Sequence, residues 1–127
     1  MKNIQAFAKQ YNQEMNWHMD KGSSEQTKSA LLGNYMRLTT EVAEVTEELR
    51  KGFNMTNTYI NEGMDEEKAF EIAMDSISED LGKELANCLA YITKFANYFE
   101  VDLEDTYFAK MEEVRDRKNR DVSLVRE

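Results

Sequence analysis

Apolar residues recur every three or four positions along most of the chain, which is the spacing of one face of an α-helix. This spacing predicts five helical stretches, over about 3–19, 25–50, 65–74, 78–99 and 103–119. Ser23 or Ser24 is expected to cap the second stretch, and Gly52 to end it. Residues 53–64 lack a sustained period, so we interpret them as a connector, and we expect a bend near 76–78.

Two of the predicted helices carry an apolar seam with alternating steps of three and four. The seams are Leu31, Tyr35, Leu38, Val42, Val45 and Leu49, and then Leu81, Leu85, Cys88, Ile92, Phe95 and Phe99. Such seams pack on each other most simply in an antiparallel bundle. The sequence therefore predicts an all-α, four-to-five-helix bundle in one domain over 1–127, with 53–78 a candidate insertion or lid and 120–127 a frayed tail.

Composition and charge narrow the function classes. The chain has no Pro, five Gly and a formal net charge of -9, which disfavours a nucleic-acid partner held through its phosphates. We find no apolar run of membrane-spanning length and no leader segment, so we expect no membrane partner. The one cysteine, Cys88, cannot form an intrachain disulfide and lies among apolar residues, which favours a core position and a reduced, cytoplasmic setting.

A polar row lies one residue before each seam. The rows are Glu41, Glu44 and Glu48 on one helix, and Asp80, Glu84, Asn87 and Tyr91 on the other. In an antiparallel pair both rows end on the same side, where their oxygens converge. Mg²⁺ or Mn²⁺ would offset the repulsion between these carboxylates. The alternative is a solvated acidic surface, because acidic pairs three residues apart are common in a chain with 25 acidic residues.

The local amino-acid sequence is more specific for function than the spacing of the acidic residues. "LTTEVAEVTEEL" (38–49), "KELANCLAYI" (83–92) and "DLEDTYFAKMEEVRDR" (102–117) resemble, in order, the blocks of the MazG-like all-α nucleoside triphosphate pyrophosphohydrolases, and "FAKQYNQEMNW" is similar to their first helix. The resemblance covers most of the chain except 53–78.

The resemblance implies a Mg²⁺-dependent enzyme that splits a nucleoside triphosphate into the monophosphate and pyrophosphate and works as a homodimer or a dimer of dimers. Glu41, Glu44 and Glu84 match the family's metal-binding carboxylates, and Asn87 takes the place of its Asp. Glu41 or Glu44 is then the candidate to accept the proton of the attacking water.

The sequence departs from the family pattern at the site itself. Asn87 offers an amide oxygen to a cation but carries no charge and cannot act as a base. Asp80, one turn before Glu84, is either an extra acid for the site or a charge favoured by the helix dipole. The spacer between Glu44 and Glu84, 39 residues, is long for the family. A second hypothesis is therefore a catalytically decayed helical module that acts as a nucleotide sensor or protein-interaction element.

Basic and aromatic residues complete the candidate site. Lys110 and Arg117, which match basic positions in the family's last block, and Lys94 are the candidate phosphate contacts, with ordinary surface charges or a salt bridge as the alternative. Trp17 and Phe7 are the candidate base-stacking residues, or else they cover the end of the bundle core. His18 has no partner in the sequence for a catalytic or metal cluster, and we expect it to be exposed.

Overall fold

Four α-helices make up the protein in its computed structural model, which describes residues 1–17, 19 and 22–126, with side chains as far as Arg120. The helices are α1 (Lys2–Glu14), α2 (Ser24–Asn61), α3 (Glu66–Tyr98) and α4 (Leu103–Arg126), and no strand occurs in these residues. The all-α prediction is confirmed. The chain divides into two compact units: 20–92, called here the hairpin unit, and 1–19 with 93–127, called the terminal unit.

Local sequence fixes where the two long helices of the hairpin unit begin. Ser23 forms a capping box with Gln26: its hydroxyl accepts from the Gln26 N–H at 3.2 Å, and its own N–H donates to the Gln26 side chain at 3.1 Å. α2 ends before Gly63, whose φ of 100° suits glycine. Asp65 then caps α3 by accepting from the Lys68 N–H at 3.2 Å. Of the two serines, Ser23 is thus the cap.

α2 and the first part of α3 pack side by side in opposite directions. The Asn34 amide donates to the Tyr91 carbonyl at 3.1 Å, and further along α2 the Ser76 hydroxyl donates to the Met55 sulfur at 3.4 Å. The residue numbers of the partners on α3 therefore fall as those on α2 rise, so the two helices are antiparallel.

The predicted connector over 53–64 was wrong, and so was the helix end at Gly52. α2 continues through both as far as Asn61, and α3 runs without a break past 76–78. Gly52 is buried against α3, where a β-carbon would lie 2.6 Å from Met74 Cε and 3.0 Å from Ile77 Cδ1. Thr56 is also buried, and its hydroxyl donates to the Gly52 carbonyl at 2.8 Å. Packing against α3 outweighs the low helix propensity of this Asn- and Thr-rich sequence.

The predicted seams are only partly the buried faces. Val42 and Leu85 are 53% and 52% exposed, whereas Asn34 is 4% exposed and Glu48 is buried. The face of α2 that meets α3 holds Asn34, Glu41 and Glu48, each seven residues apart, with apolar side chains between them. Seven residues are close to two helical turns, so these three polar groups share one side of α2. Two members of the polar row predicted beside the seam, Glu41 and Glu48, are thus part of the packed face, whereas Glu44 is exposed.

A buried glutamine organises the terminal unit. The Gln5 side chain on α1 donates to the Val101 carbonyl at 2.8 Å and to Asn97 Oδ1 at 3.3 Å, and its oxygen accepts from the Leu103 N–H at 2.9 Å. Asn97 in turn donates to the Gln5 carbonyl at 3.0 Å. These bonds fasten α1 to the turn between α3 and α4, where Glu100 adopts a left-handed φ of 56°.

Two helix boundaries differ from the predicted ones. α1 ends at Glu14 rather than near residue 19, and Asn16 follows with a left-handed φ of 58° that an α-helix cannot continue through. α4 continues past residue 119 as far as Arg126.

Candidate functional site

Glu41 of α2 and Glu84 and Asn87 of α3 come together in the middle of the hairpin unit. Asn87 Nδ2 donates to Glu41 Oε2 at 3.3 Å. Glu84 lies one turn before Asn87, and its carboxyl is close enough to Glu41 to raise the pKa of the Glu41 carboxyl. The antiparallel register accounts for this meeting, because it brings the part of α2 around Glu41 level with the part of α3 around Glu84.

The electrostatics of this pair are unfavourable in the metal-free protein. Burial raises the pKa of the Glu41 carboxyl, and Glu84 and Glu44 raise it further, while the hydrogen bond from Asn87 opposes them. Glu84 Oε2 is buried and has no hydrogen-bond partner among the described residues. A buried acceptor without a donor costs about 1–3 kcal/mol. The site therefore keeps an arrangement that weakens the fold, which is typical of functional positions.

A hard divalent cation fits this donor set. Glu41 and Glu84 supply carboxylate oxygens, and Asn87 supplies an amide oxygen once its side chain turns over. A cation would also give Glu84 Oε2 the partner that it lacks. Among the residues that the structure describes, however, no three or more His, Cys, Asp or Glu side chains group as a metal site. The donors that converge are two carboxylates and one amide.

Glu44 and Asp80 lie at the margin of this group. Glu44 is exposed, one turn after Glu41 on α2, and its charge reaches both Glu41 and Lys51. Asp80 is also exposed, one turn before Glu84 on α3, and its charge reaches Lys51 as well. Of the predicted ligands, the structure thus brings Glu41, Glu84 and Asn87 into contact and leaves Glu44 and Asp80 beside them.

Two polar residues of the hairpin unit were missed by the sequence reasoning. Asn34 donates to the Tyr91 carbonyl, while its own Oδ1 is buried without a partner in the described part of the chain. Lys51 forms an ion pair with the nearly buried Glu48 at 2.9 Å. The seven-residue spacing of Asn34, Glu41 and Glu48 was the available signal, and it became visible only once the packed face of α2 was known.

Cys88 is buried directly beside the carboxylate pair. Burial raises the pKa of its thiol, and the charges of Glu41 and Glu84 raise it further. The thiol therefore stays protonated at neutral pH and is a poor nucleophile. The predicted core role of Cys88 is confirmed.

An apolar strip lies on the opposite side of the hairpin from Asn87. It consists of Tyr35 and Val42 on α2 and Leu85 and Ile92 on α3, all exposed. Each of these residues comes one position after a residue of the contact between α2 and α3. Because the two helices run in opposite directions, the side chains that follow the contact residues point to the same side of the hairpin on both helices. The hairpin unit thus has a polar side with the carboxylates and an apolar side.

The other predicted contacts belong to the terminal unit. Lys110 and Arg117 are exposed on α4, and both bind Glu113 at 3.3 Å. Lys94 is half-buried near the end of α3. These are positions in a different unit from the carboxylates, and their role as phosphate contacts stays a prediction.

The aromatic residues of the terminal unit form a short chain of ring contacts. Phe7 stacks on Tyr11, with centroids 5.8 Å apart, and Trp17 meets Tyr11 edge-on at 5.9 Å. Phe7 and Trp17 are both exposed. His18 lies outside the described residues.

Comparisons with family models, with curated proteins and with solved structures found no match to this chain. Within the described residues, none of the helices combines the length and apolar character needed to cross a lipid bilayer.

Proposed function

We propose that the chain is a Mg²⁺-dependent nucleoside triphosphate pyrophosphohydrolase of the MazG-like all-α type. The observation that carries this proposal is the meeting of Glu41, Glu84 and Asn87 across the antiparallel pair, with one Glu84 oxygen buried and unpartnered. They occupy three of the four positions that the resemblance assigns to the family's metal site, with Asn87 in place of the family's Asp. The resemblance of the three sequence blocks implies the reaction, and the convergence of these oxygen-bearing side chains supports a metal site.

The residues divide the work of the proposed reaction. Glu41, Glu84 and Asn87 would hold the Mg²⁺ ion, with Glu44 as the fourth donor. When bound, the ion polarises a phosphate and lowers the pKa of a water molecule. Glu44 is exposed and one turn from Glu41, so it is placed to accept the proton of that water. Phe7 and Trp17, which the sequence predicts as contacts for the base, and Lys94, Lys110 and Arg117, which it predicts for the phosphates, belong to the terminal unit and stay predictions.

A panel of normal and damaged ribo- and deoxyribonucleoside triphosphates tests this proposal. At least one of them should yield the monophosphate and pyrophosphate in the presence of Mg²⁺ or Mn²⁺, with chelation stopping the reaction. Separating pyrophosphate from single phosphate by chromatography identifies the bond that is cleaved. The enzyme proposal fails when no nucleotide of the panel is turned over with either metal.

One feature favours the second hypothesis, a decayed module that binds nucleotide or protein without catalysis. Asn87 stands in place of the family's Asp and already donates its amide to Glu41. Such a module keeps its fold while binding metal weakly or not at all.

Asn87→Asp separates the two functions. The added carboxylate should tighten Mn²⁺ binding by about tenfold, because a charged ligand replaces a neutral one. In a decayed module it creates pyrophosphohydrolase activity, whereas in an active enzyme it changes an activity that wild type already has. Calorimetric titration with Mn²⁺ and the pyrophosphate assay measure both. Asn57→Asp, at an exposed position of α2 away from the carboxylates, is the matched control, and equal Mn²⁺ affinities for the two variants would contradict the proposed site.

We further propose that the protein is a homodimer or a dimer of dimers. The support is the apolar strip, whose four large side chains on one side of the hairpin are typical of a surface that another protein covers. Covering this side leaves the carboxylates on the other side open to substrate.

Leu85→Lys should split the assembly, since a charge within the strip cannot be buried without a partner. Light scattering should give a multiple of 14.9 kDa for wild type and the single-chain mass for the variant. Lys83→Ala, at an exposed position of the same helix, should leave the mass unchanged. A wild-type mass of one chain would contradict the oligomer.

A further inference from the structure

Lys51 lies among carboxylates from both helices of the hairpin unit. Its ammonium is 2.9 Å from Glu48 Oε1, and the charges of Asp80 on α3 and Glu44 on α2 also act on it. Together these three carboxylates raise the pKa of Lys51, with Glu48 contributing most. Lys51 therefore stays charged at neutral pH.

The register puts Lys51 on the polar side of the hairpin. Lys51 is seven residues after Glu44, or nearly two turns, so both side chains leave α2 in the same direction. Gly52 next to it packs on Ile77, which brings this turn of α2 level with the turn of α3 that carries Asp80. Lys51 is thus a basic residue within the same unit as the carboxylate pair and beside its two marginal acids.

The surroundings of Lys51 leave it able to take a second partner. Glu48 is nearly buried and holds one side of the ammonium, whereas the Lys51 side chain is 63% exposed. An ammonium has three donors, of which Glu48 takes one. By contrast, Lys110 and Arg117 share one carboxylate, Glu113, in the terminal unit.

We propose that Lys51 binds the phosphate chain of the substrate, and that in the metal-free protein it serves as the counter-ion of Glu44, Glu48 and Asp80. This inference rests on the proposed function. A divalent cation held by Glu41 and Glu84 repels the ammonium, whereas the phosphates that accompany the cation attract it. Lys51 therefore weakens the binding of the cation alone and strengthens the binding of the cation together with its phosphates. Removing Lys51 should change these two affinities in opposite directions.

Lys51→Met tests the inference with two binding measurements that need no turnover. Calorimetry with Mn²⁺ alone should show binding about two- to fivefold tighter than in wild type, because one repelling charge is gone. Calorimetry with preformed Mn²⁺–tripolyphosphate should show binding about tenfold weaker, because a charged hydrogen bond is lost. Inorganic tripolyphosphate has no base, so the result does not depend on which nucleotide is preferred.

Two further variants make the outcome decisive. Lys83→Met removes a lysine whose only described ion pair, to Glu79 at 3.8 Å, is on the surface of α3, and it should change neither affinity. Glu48→Gln keeps Lys51 but weakens its hold, and it should tighten tripolyphosphate binding. Should Lys51→Met unfold because Glu48 is left buried and unpaired, the tripolyphosphate affinity of Glu48→Gln still tests the inference.

The outcomes separate this inference from the proposed function. Opposite shifts for Lys51→Met without hydrolysis of any nucleotide support the phosphate contact and overturn the enzyme. Hydrolysis by wild type with Lys51→Met behaving as Lys83→Met overturns the phosphate contact and keeps the enzyme. Absence of Mn²⁺ binding by wild type overturns both.

Discussion

Glu84→Gln is expected to lower Mg²⁺-dependent pyrophosphate release at least about 100-fold and, at the same time, to stabilise the metal-free protein. Glutamine keeps the size of the side chain but removes the charge that faces Glu41. The proposed site then loses a carboxylate ligand, and the unfavourable meeting of two carboxyl groups disappears with it. Loss of activity together with gain of stability is the expected mark of a residue kept for function.

The gain in stability should depend on pH in a defined direction. Because the pKa of Glu41 is raised in the folded protein above its ordinary value of 4.5, ionising it costs folding free energy. The metal-free wild type is therefore favoured below that ordinary value and loses stability as pH rises through the raised pKa. Above this window Glu84→Gln should melt about 2–4 °C higher than wild type, and below it the difference should vanish.

Thermal melts in the presence of a chelator, from acid to neutral pH, measure the gain in stability. The pyrophosphate assay measures the loss of activity. Glu79→Gln is the matched control: the same change on the same helix, at an exposed carboxylate that pairs with Lys83. It should leave activity and melting nearly unchanged. Wild-type turnover by Glu84→Gln would remove Glu84 from the site, and a melting gain that is equal at acid and neutral pH would refute the electrostatic explanation.

Gly52→Leu should destabilise the protein by about 1–3 kcal/mol, even though leucine favours a helix over glycine by nearly 1 kcal/mol. A β-carbon at this position already lies 2.6 Å from Met74 Cε and 3.0 Å from Ile77 Cδ1, and leucine adds three more carbons in the same space. The packed helices have to move apart to admit them. Urea unfolding followed by far-UV circular dichroism measures the loss.

Gly82→Leu is the control, because a β-carbon there meets nothing within 4 Å. It should leave stability unchanged or raise it by up to about 1 kcal/mol through helix propensity alone. The comparison holds the residue type and the helical setting constant and changes only the neighbouring helix. Equal stabilities for the two variants would mean that α2 and α3 do not approach closely at Gly52.

The sequence was sufficient for the parts of the fold that depend on local chemistry. Helical spacing predicted the all-α class, and Ser23 was recognised as a candidate cap because a short polar side chain before an apolar run has few other roles. The antiparallel pairing of two long helices also followed from their apolar seams.

The sequence was insufficient where packing decides between faces. α2 carries both the apolar strip and the row Asn34, Glu41 and Glu48, and hydrophobicity alone selects Val42 as the buried position. The structure instead buries the row against α3 and exposes Val42. Gly52 was misread for the same reason, since a glycine that ends a helix and a glycine that admits a neighbouring helix look alike in sequence.

The candidate site was predicted in part. Glu41, Glu84 and Asn87 were singled out from their positions in two motifs, and they meet in the structure. Lys51 was missed because it follows Arg50 at what looked like a helix end, where basic residues are favoured by the helix dipole. Because α2 continues to Asn61, Lys51 is an interior residue of that helix, near acidic residues of both α2 and α3.

The bond from the Leu103 N–H to Gln5 has a consequence for the order in which the terminal unit comes apart. The first amides of a helix have no partner within it and exchange their hydrogens with water readily. The Leu103 amide is instead held by a side chain nearly a hundred residues away in sequence. Its exchange is therefore tied to the release of α1, so that one amide at the start of α4 reports whether the N-terminus of the chain is in place.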